Sequence, residues 1–424
     1  MYIDYKLSLM LNETMKRKEL VILILTVILV ILLYKCITNA IYTSLPLTMG
    51  DDSINTKQIS SQKLFEKSWS VINQKYIDSS LNSQNWSYWK KHYKNKIKTD
   101  EDAKVAIDTM IASLNDPYSR FLSKQEFEEQ FRSIDAHITG IGINIINNSG
   151  KTVIHSVIDG TPAQKSGLKS NDIITEVNGK NINGMDLSSV ATLIRGPIDS
   201  KVKLKIKRGN SYLIKYIKRE EIEIKSVESR IDKNNIGYIK IKSFIGSNTA
   251  SDFVKALKDT SKTDGLIIDL RGNTGGLLSN AVVVANLFIN NGKIVSIVSR
   301  NGKKNDISAK TDFPIITKPT VVLVDETSAS ASEILSGALK DNHKAILVGS
   351  KTYGKGLVQQ IIPLENSTGL NITIAKYLTP NGSDINKKGI EPDINVPYSI
   401  SERRKHNDIQ LKKAEMIVYN MCKK

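Results

Sequence analysis

Cysteine is nearly absent: Cys36 and Cys422, at opposite ends of a 424-residue chain, are the only two. Thiols so placed exclude a disulfide framework and any cysteine-based metal site. Histidine is scarce as well. His92, His137, His155, His343 and His406 show no HxxxH-type pairing, and none sits in a nucleophile context. If the chain is a hydrolase, its base is therefore expected to be another side chain. No metal and no cofactor are expected. The net charge is +17, yet acidic residues are mixed among the basic ones. No basic run is interleaved with aromatics in the way a nucleic-acid groove needs. A lysine-rich solvated surface near anionic lipid or envelope polymer is the reading that remains, and nucleic acid is not an expected partner. There is no internal repeat.

What is present is ordinary globular material: 40% hydrophobic and 24% charged residues, with length for two or three domains. Met15-Lys16-Arg17-Lys18 precedes an uncharged apolar run from Leu20 to Tyr34. That run is short of the ~20 residues that cross a bilayer. Lys35 can snorkel, however, and Cys36–Tyr42 carry no charge. A retained anchor over 20–42 is expected, with the positive cluster inside and the rest of the chain outside. Cleavage as a signal peptide near Thr38-Asn39-Ala40 is the competing reading.

Residues 43–60 read as a linker. From Ser61 to about Phe131 the pattern is helical, with Phe65, Trp69, Val71 and Ile72 on an apolar face, and it closes at the Asp116-Pro117 turn. A small domain follows over about Ala136–Arg208. It has strands at Thr152–Val157 and Val202–Ile206, an Asn178-Gly179 turn, and a helix near Asp186–Ile194. From Ile222 onward strands and helices alternate, which argues for an α/β core. Leu266–Ile268 and Val321–Val324 have the continuous apolar character of strands covered on both faces.

Three segments carry candidate chemistry. In Val324–Leu335 a buried strand ends, small residues turn, and a helix begins with Ile334, Leu335, Ala338 and Leu339 on its apolar face. Ser330 stands at that corner beside free N–H groups and a positive dipole end, a good place to stabilise an oxyanion. The same Ser330-Ala331-Ser332-Glu333 is also a capping box. In Gly349–Gln359, Lys355 lies between two glycines just after the Ala345–Val348 strand. A lysine drawn into an apolar site loses its proton more readily and becomes a usable base, although most lysines are simply solvated. Gln359, four residues on, can hold that amine by its side-chain carbonyl. In Asp269–Leu278 a glycine-rich loop follows a strand and can aim backbone N–H groups at a ligand. It lacks the patterns of nucleoside-triphosphate and dinucleotide loops.

These segments resemble those of the carboxy-terminal processing (tail-specific) peptidases. So do Leu114–Phe121, Gly140–Ile143, Leu193–Pro197, Tyr377–Gly382 and Gly389–Asp393, over about residues 62–398. The most specific element is Thr327–Glu333 paired with Tyr353–Gly356, with Ser330 and Lys355 25 positions apart. The resemblance implies a serine endopeptidase with Ser330 as nucleophile, Lys355 as general base and Gln359 orienting the lysine. Gly276 and Ala331 would supply the oxyanion hole. It also implies a PDZ domain in which Gly140, Ile141, Gly142 and Ile143 bind a substrate's C-terminal carboxylate, and in which Arg195 is either part of regulatory coupling or an ordinary surface salt bridge.

The implied fold is multidomain α/β (α+β): a transmembrane helix, a helical domain, a PDZ-like β domain, and a protease core related to the crotonase-like fold. The expected divisions are a cytoplasmic 1–19, an anchor at 20–42, a linker at 43–60, a helical domain at 61–135 and a PDZ domain at 136–208. The core takes 209–400, with 61–135 packing alongside, and a tail helix takes 401–424. Expected partners are protein substrates held by their C-terminal tails and the membrane; a homo-oligomer or an activating partner stays open. The rivals are a catalytically silent PDZ-bearing scaffold and an envelope-binding protein. Ser166, Asn171 and Asp199 depart from the small or glycine residues expected in the PDZ-like region, and Asn171 suits a left-handed backbone. Asp325-Glu326 is expected either to influence substrate preference or to sit in solvent.

Overall fold

Strands without polar alternation must be covered on both faces, and the centre of the structure is such a sheet. Its strands run Val227–Ile231, Ile236–Ile241, Gly265–Asp269, Thr320–Val324, Ile346–Gly349 and Ile394–Asn395 in spatial order. The pairings from Ile236–Ile241 outward are parallel, and Gly265–Asp269 and Thr320–Val324 are buried at every residue. This is a computed structural model, and it describes residues 57–134, 137–148, 150–185, 187–223, 226–310, 316–397 and 407–423. The expected anchor at 20–42 and most of the 43–60 linker lie outside them. Among the described residues no helix is long and apolar enough to cross a membrane.

The described chain forms two units. One takes in the chain up to Phe127, Ser229–Phe244 and everything from Phe253 onward; the other is Glu128–Glu228 with Ile245–Asp252. In the first unit the Ile409–Cys422 helix, within the expected tail, seats Ala414 and Val418 against Ile267, Val321, Leu323 and Val348. Gly265 permits this approach, because a Cβ there would stand 2.2 Å from Val418 Cγ1 and 2.9 Å from Cys422 Sγ. An antiparallel sheet in the same unit joins Arg120–Leu122, Gly369–Leu378, Lys293–Ser299 and Lys304–Ser308, with Leu357–Pro363 also on Gly369–Leu378. Helices Ser61–Lys75 and Asp100–Ala112 pack Phe65, Ile72, Ile107 and Met110 with Leu364, Leu370 and Ile372. Trp69 and Val71 are only partly buried beside them.

The second unit is built on strands Ile143–Asn148, Lys151–Val157, Ile173–Val177, Lys201–Arg208 and Ser211–Lys218, each antiparallel to its neighbour. The Leu187–Ile194 helix adds Val190 and Ile194 to the core around Ile154, Ile174, Val202, Leu204 and Ile206. The expected boundary at 208 falls inside the last hairpin, so the sheet continues to Lys218. Asn178 and Gly179 have φ of 51° and 82°, the positive angles a two-residue hairpin turn needs. Asn171 and Asp199 take left-handed angles of 71° and 66°, which short polar side chains tolerate. Ser166 has an ordinary φ of −79°.

The seating of the Ile409–Cys422 helix makes a simple prediction. Gly265→Ala should lower unfolding free energy by about 1–3 kcal/mol through overpacking. Adding Val418→Ala should return part of that loss, because the two changes share one contact. Urea midpoints of the single and double variants check it; strictly additive losses would contradict the contact.

Candidate active site

Three loops leave the C-terminal ends of three adjacent parallel strands, the edge where open α/β sheets place their ligands. The first begins at Asp269, which is fully buried. Its carboxylate accepts the Tyr238 hydroxyl at 2.6 Å and the Arg271 guanidinium at 2.7 and 3.0 Å. Arg271 also grips Asp408 at 2.8 and 2.9 Å and Gln410 at 3.1 Å. Burial alone would lower the Arg271 pKa, but these carboxylates outweigh it and raise it. Further along, Asn273 accepts the Gly275 amide through its side chain, and its carbonyl accepts the Ala329 amide and the Ser332 hydroxyl. The glycine loop is thereby fastened to the second loop.

Gly275 lies against Ser330 so closely that a Cβ would come within 2.8 Å of Ser330 Cβ and 2.9 Å of the Ala331 nitrogen. Its φ is 99° and that of Gly276 is 145°, angles that favour glycine. The Gly276 and Ala331 amides donate to no backbone carbonyl among the described residues.

Asp325 shapes the second loop. Its Oδ1 accepts the amides of Thr327 and Ser328, the Thr327 hydroxyl and, across the gap, the Gly272 amide at 3.2 Å. Asp325 is therefore a buried structural group and not the solvated charge that was one of its expected roles. Of the Asp325-Glu326 pair, only Glu326 is exposed. Ser330 follows at φ 54°, ψ −115°, a strained combination for a residue with a Cβ, costing about 1–3 kcal/mol. The Ala331–Asp341 helix starts there with Ile334, Leu335, Ala338 and Leu339 all buried.

Glu333 connects the second loop to the third. Its side chain is inaccessible to solvent, and Oε2 accepts the amides of both Ser330 and Lys355 at 2.9 Å. Oε1 accepts the Gly354 amide at 2.7 Å and the Thr352 hydroxyl at 2.6 Å. The capping partner foreseen for Ser330 thus also holds Lys355. Tyr377 makes a second link, donating to the carbonyls of Lys355 at 2.5 Å and Ser330 at 3.2 Å. Burial and then the Glu333 charge push its pKa well up.

Lys355 is half-buried, and its ammonium lies 4.9 Å from the centre of the Tyr118 ring. Burial lowers its pKa, with Asp116 and Glu333 opposing. No hydrogen bond joins its amine to the Ser330 hydroxyl. Gln359 lies on the Leu357–Pro363 strand, and its amide nitrogen donates to Thr373 Oγ1 at 3.2 Å. Asp116, Tyr118, Glu333 and Tyr377 were not read as site residues in the sequence. The capping box, the Asp-Pro turn and the family-like segments Leu114–Phe121 and Tyr377–Gly382 were their only signals.

In the second unit, Gly142 has φ 85°, and a Cβ there would strike Thr161 at 2.3 Å. The Ile141 and Gly142 carbonyls accept the amides of Ala163 and Ile158, while their own amides donate to no backbone carbonyl among the described residues. Ile143 opens the Ile143–Asn148 strand, and Gly140 pairs with Glu220. Arg195 is exposed just beyond the Leu187–Ile194 helix. The buried arginine there is Arg219, which donates to the carbonyls of Ile194 at 2.8 Å and Lys201 at 3.0 Å and to Ser200 Oγ at 2.9 Å. Desolvation lowers its pKa.

Glu333→Ala should leave four donors without their acceptor, and burial of such groups costs ~1–3 kcal/mol each. A loss of more than about 3 kcal/mol is expected in urea unfolding, with Glu333→Gln losing less. A drop under 1 kcal/mol for the alanine variant would mean the four bonds are not held together in solution.

The sequence profile of the PDZ domain matches residues 153–208, and that of Peptidase family S41 matches residues 235–396. The carboxyl-terminal-processing protease of Picosynechococcus sp. is 36% identical over 348 residues, covering 79% of this chain and 83% of that protein. The carboxy-terminal processing protease CtpA of Bacillus subtilis is 41% identical over 303 residues, 70% of this chain and 65% of that one. Among solved structures, a photosystem II D1 C-terminal processing protease is similar with a TM-score of 0.56 and 32% identity, covering 80% of this chain and 94% of that one. At such identity over most of its length, this chain belongs to peptidase family S41, as a carboxyl-terminal processing serine peptidase that carries a PDZ domain.

Proposed function

We propose that the chain is an endopeptidase in which Ser330 Oγ attacks the scissile carbonyl and Lys355 Nζ takes the hydroxyl proton. The observation that carries this reading is Glu333: one carboxylate oxygen holds the amides of both residues at 2.9 Å. A base must come within hydrogen-bond reach of the proton it removes, and such bonds commonly tighten only with substrate bound. Burial lowers the pKa of Lys355 and so raises the share of neutral amine.

The amides of Gly276 and Ala331 would receive the oxyanion. On collapse, Lys355 returns its proton to the leaving amine, leaving an ester on Ser330. Water then attacks that ester with Lys355 again as base, and Gln359 orients the lysine throughout. The pair supplies nucleophile and base by itself, so the reading calls for no metal and no cofactor.

Substrates would be recognised at their C-termini in the second unit. The Gly140–Ile143 loop, whose Ile141 and Gly142 amides donate to no backbone carbonyl among the described residues, takes the terminal carboxylate, and a strand edge takes the peptide by β-augmentation. Arg195, exposed beyond its helix, keeps both readings: coupling of peptide occupancy to the site, or an ordinary surface salt bridge. Residues 20–42 would anchor the chain in the cytoplasmic membrane with the peptidase outside, from the positive cluster at 15–18 and the apolar run. Deleting residues 1–42 should then move cleavage activity from the membrane fraction to the soluble one. Activity found soluble in the full-length protein would count against the anchor.

The central test is cleavage of a protein with an unstructured apolar C-terminus. Ser330→Ala should lose at least about 10³-fold in rate. Lys355→Arg, which stays protonated, should lose about 10²-fold or more. Since the neutral amine is the working form, kcat/KM should rise with pH through a limb below the ordinary lysine value of 10.5. Amidating the substrate's C-terminus should raise KM. Wild-type cleavage by Ser330→Ala would remove Ser330 as the nucleophile, and no cleavage by the wild type would leave the silent scaffold. Salt-sensitive retention on anionic polymer that survives the same substitution, without cleavage by wild type, would favour the envelope-binding protein.

A further inference from the structure

At the Asp-Pro turn the Asp116 carboxylate accepts three hydrogen bonds. The Tyr118 amide donates to Oδ1 at 3.0 Å, and the hydroxyls of Ser119 and Thr373 donate to Oδ2 at 2.6 and 2.7 Å. Thr373 is fully buried, and its own amide donates to Ser119 Oγ at 3.1 Å. A threonine hydroxyl owns one proton. Once that proton goes to a carboxylate, only a lone pair is left for the Gln359 side chain 3.2 Å away. The end of the carboxamide at Thr373 must then be the donor, Nε2. That fixes the flip of an amide which would otherwise be free to turn either way. It leaves Oε1 at the other end, where it accepts no hydrogen bond among the described residues. The same turn carries Tyr118, whose ring lies 4.9 Å from Lys355 Nζ.

We propose that Asp116, acting through Thr373, is a positioning residue that keeps the carbonyl end of Gln359 available to the Lys355 amine. The inference rests on the Ser330–Lys355 reading and deepens it. When Lys355 takes the serine proton it becomes an ammonium, with three donors and no acceptor. A carbonyl beside it stabilises that state. A reversed carboxamide would set an NH₂ group against it and disfavour the proton transfer at the moment it occurs. The plainer alternative is that Asp116 only builds its own turn through Tyr118 and Ser119.

The substitutions separate the two. Thr373→Val keeps the shape and removes the relay, whereas Thr373→Ser keeps the hydroxyl. In Asp116→Asn the Tyr118 amide still requires an oxygen at the Oδ1 position, so the NH₂ group faces Thr373 Oγ1. The hydroxyl then turns its proton on Gln359 and reverses the carboxamide. Thr373→Val and Asp116→Asn should each lower kcat roughly tenfold with KM little changed. Both should move the rising limb of the pH profile to lower pH, because the ammonium loses an acceptor. Thr373→Ser should restore rate and profile. In a Gln359→Ala background Thr373→Val should cost nothing further.

Wild-type kcat and pH profile in Thr373→Val, or an undiminished loss in the Gln359→Ala background, overturns the proposal. If melting curves show that Thr373→Val does not fold, Asp116→Asn decides alone, and an unchanged kcat there sinks it. Ser330→Ala and Lys355→Ala run alongside. If both cleave at the wild-type rate, the Ser–Lys reading itself has failed; if both are inactive while Thr373→Val is unaffected, only the positioning role has.

Discussion

A single buried carboxylate governs the geometry of the candidate site. Glu333 has no access to water, so each of its lone pairs must find a donor within the protein. It finds the amides of Ser330, Gly354 and Lys355 and the hydroxyl of Thr352. Two of those amides belong to Ser330 and Lys355, the residues whose side chains the proposed chemistry needs. Sharing one acceptor ties the two strand-end loops to each other. Tyr377 repeats the constraint from the carbonyl side, and the two together fix both backbones while leaving the side chains free to meet a substrate.

The rest of the site serves that arrangement by close approach. Gly275 lets one loop touch the Cβ of Ser330, and Asn273 and Asp325 bind that loop to its neighbour through backbone amides. Ser330 keeps a left-handed backbone because the structure around it leaves no alternative. In the proposed chemistry, rigidity at the amides and adaptability at the Lys355 amine are complementary requirements. An oxyanion pocket works only if its donors are already aimed, whereas a base must both take up and release a proton.

Much of this was legible in the sequence, and the parts that were share a property: they depend on neighbours along the chain. The continuous apolar runs Leu266–Ile268 and Val321–Val324 became strands buried at every residue, and the apolar spacing after Ser330 became a helix with that face covered. Asn171 could be read as a left-handed residue from its own chemistry. The glycine pattern around 272–276 signalled close backbone approach, although not what would be approached. What stayed hidden depends on contacts distant in sequence. Glu333 looked like a cap because its bonds to 352–355 cross between loops. Asp325 had the composition of a solvated charge, yet a strand end and a glycine loop close over it. Arg219 gave no sign that it would be buried among carbonyls, since those belong to segments some twenty residues away. The bond from Gln359 to Thr373 depends on the register of two antiparallel strands, which the sequence does not spell out. The apolar segment at 20–42 lies outside the described residues, and its reading rests on the sequence alone.

Arg271 has one further implication. It opens the glycine loop, and its guanidinium is divided between Asp269 at the strand end and Asp408 and Gln410 at the start of the final helix. Two of its three side-chain partners therefore belong to a segment more than 130 residues further along the chain. A change that undocked the final helix would leave the guanidinium with Asp269 alone, and a loosening more than a hundred positions away would be felt at the head of the glycine loop.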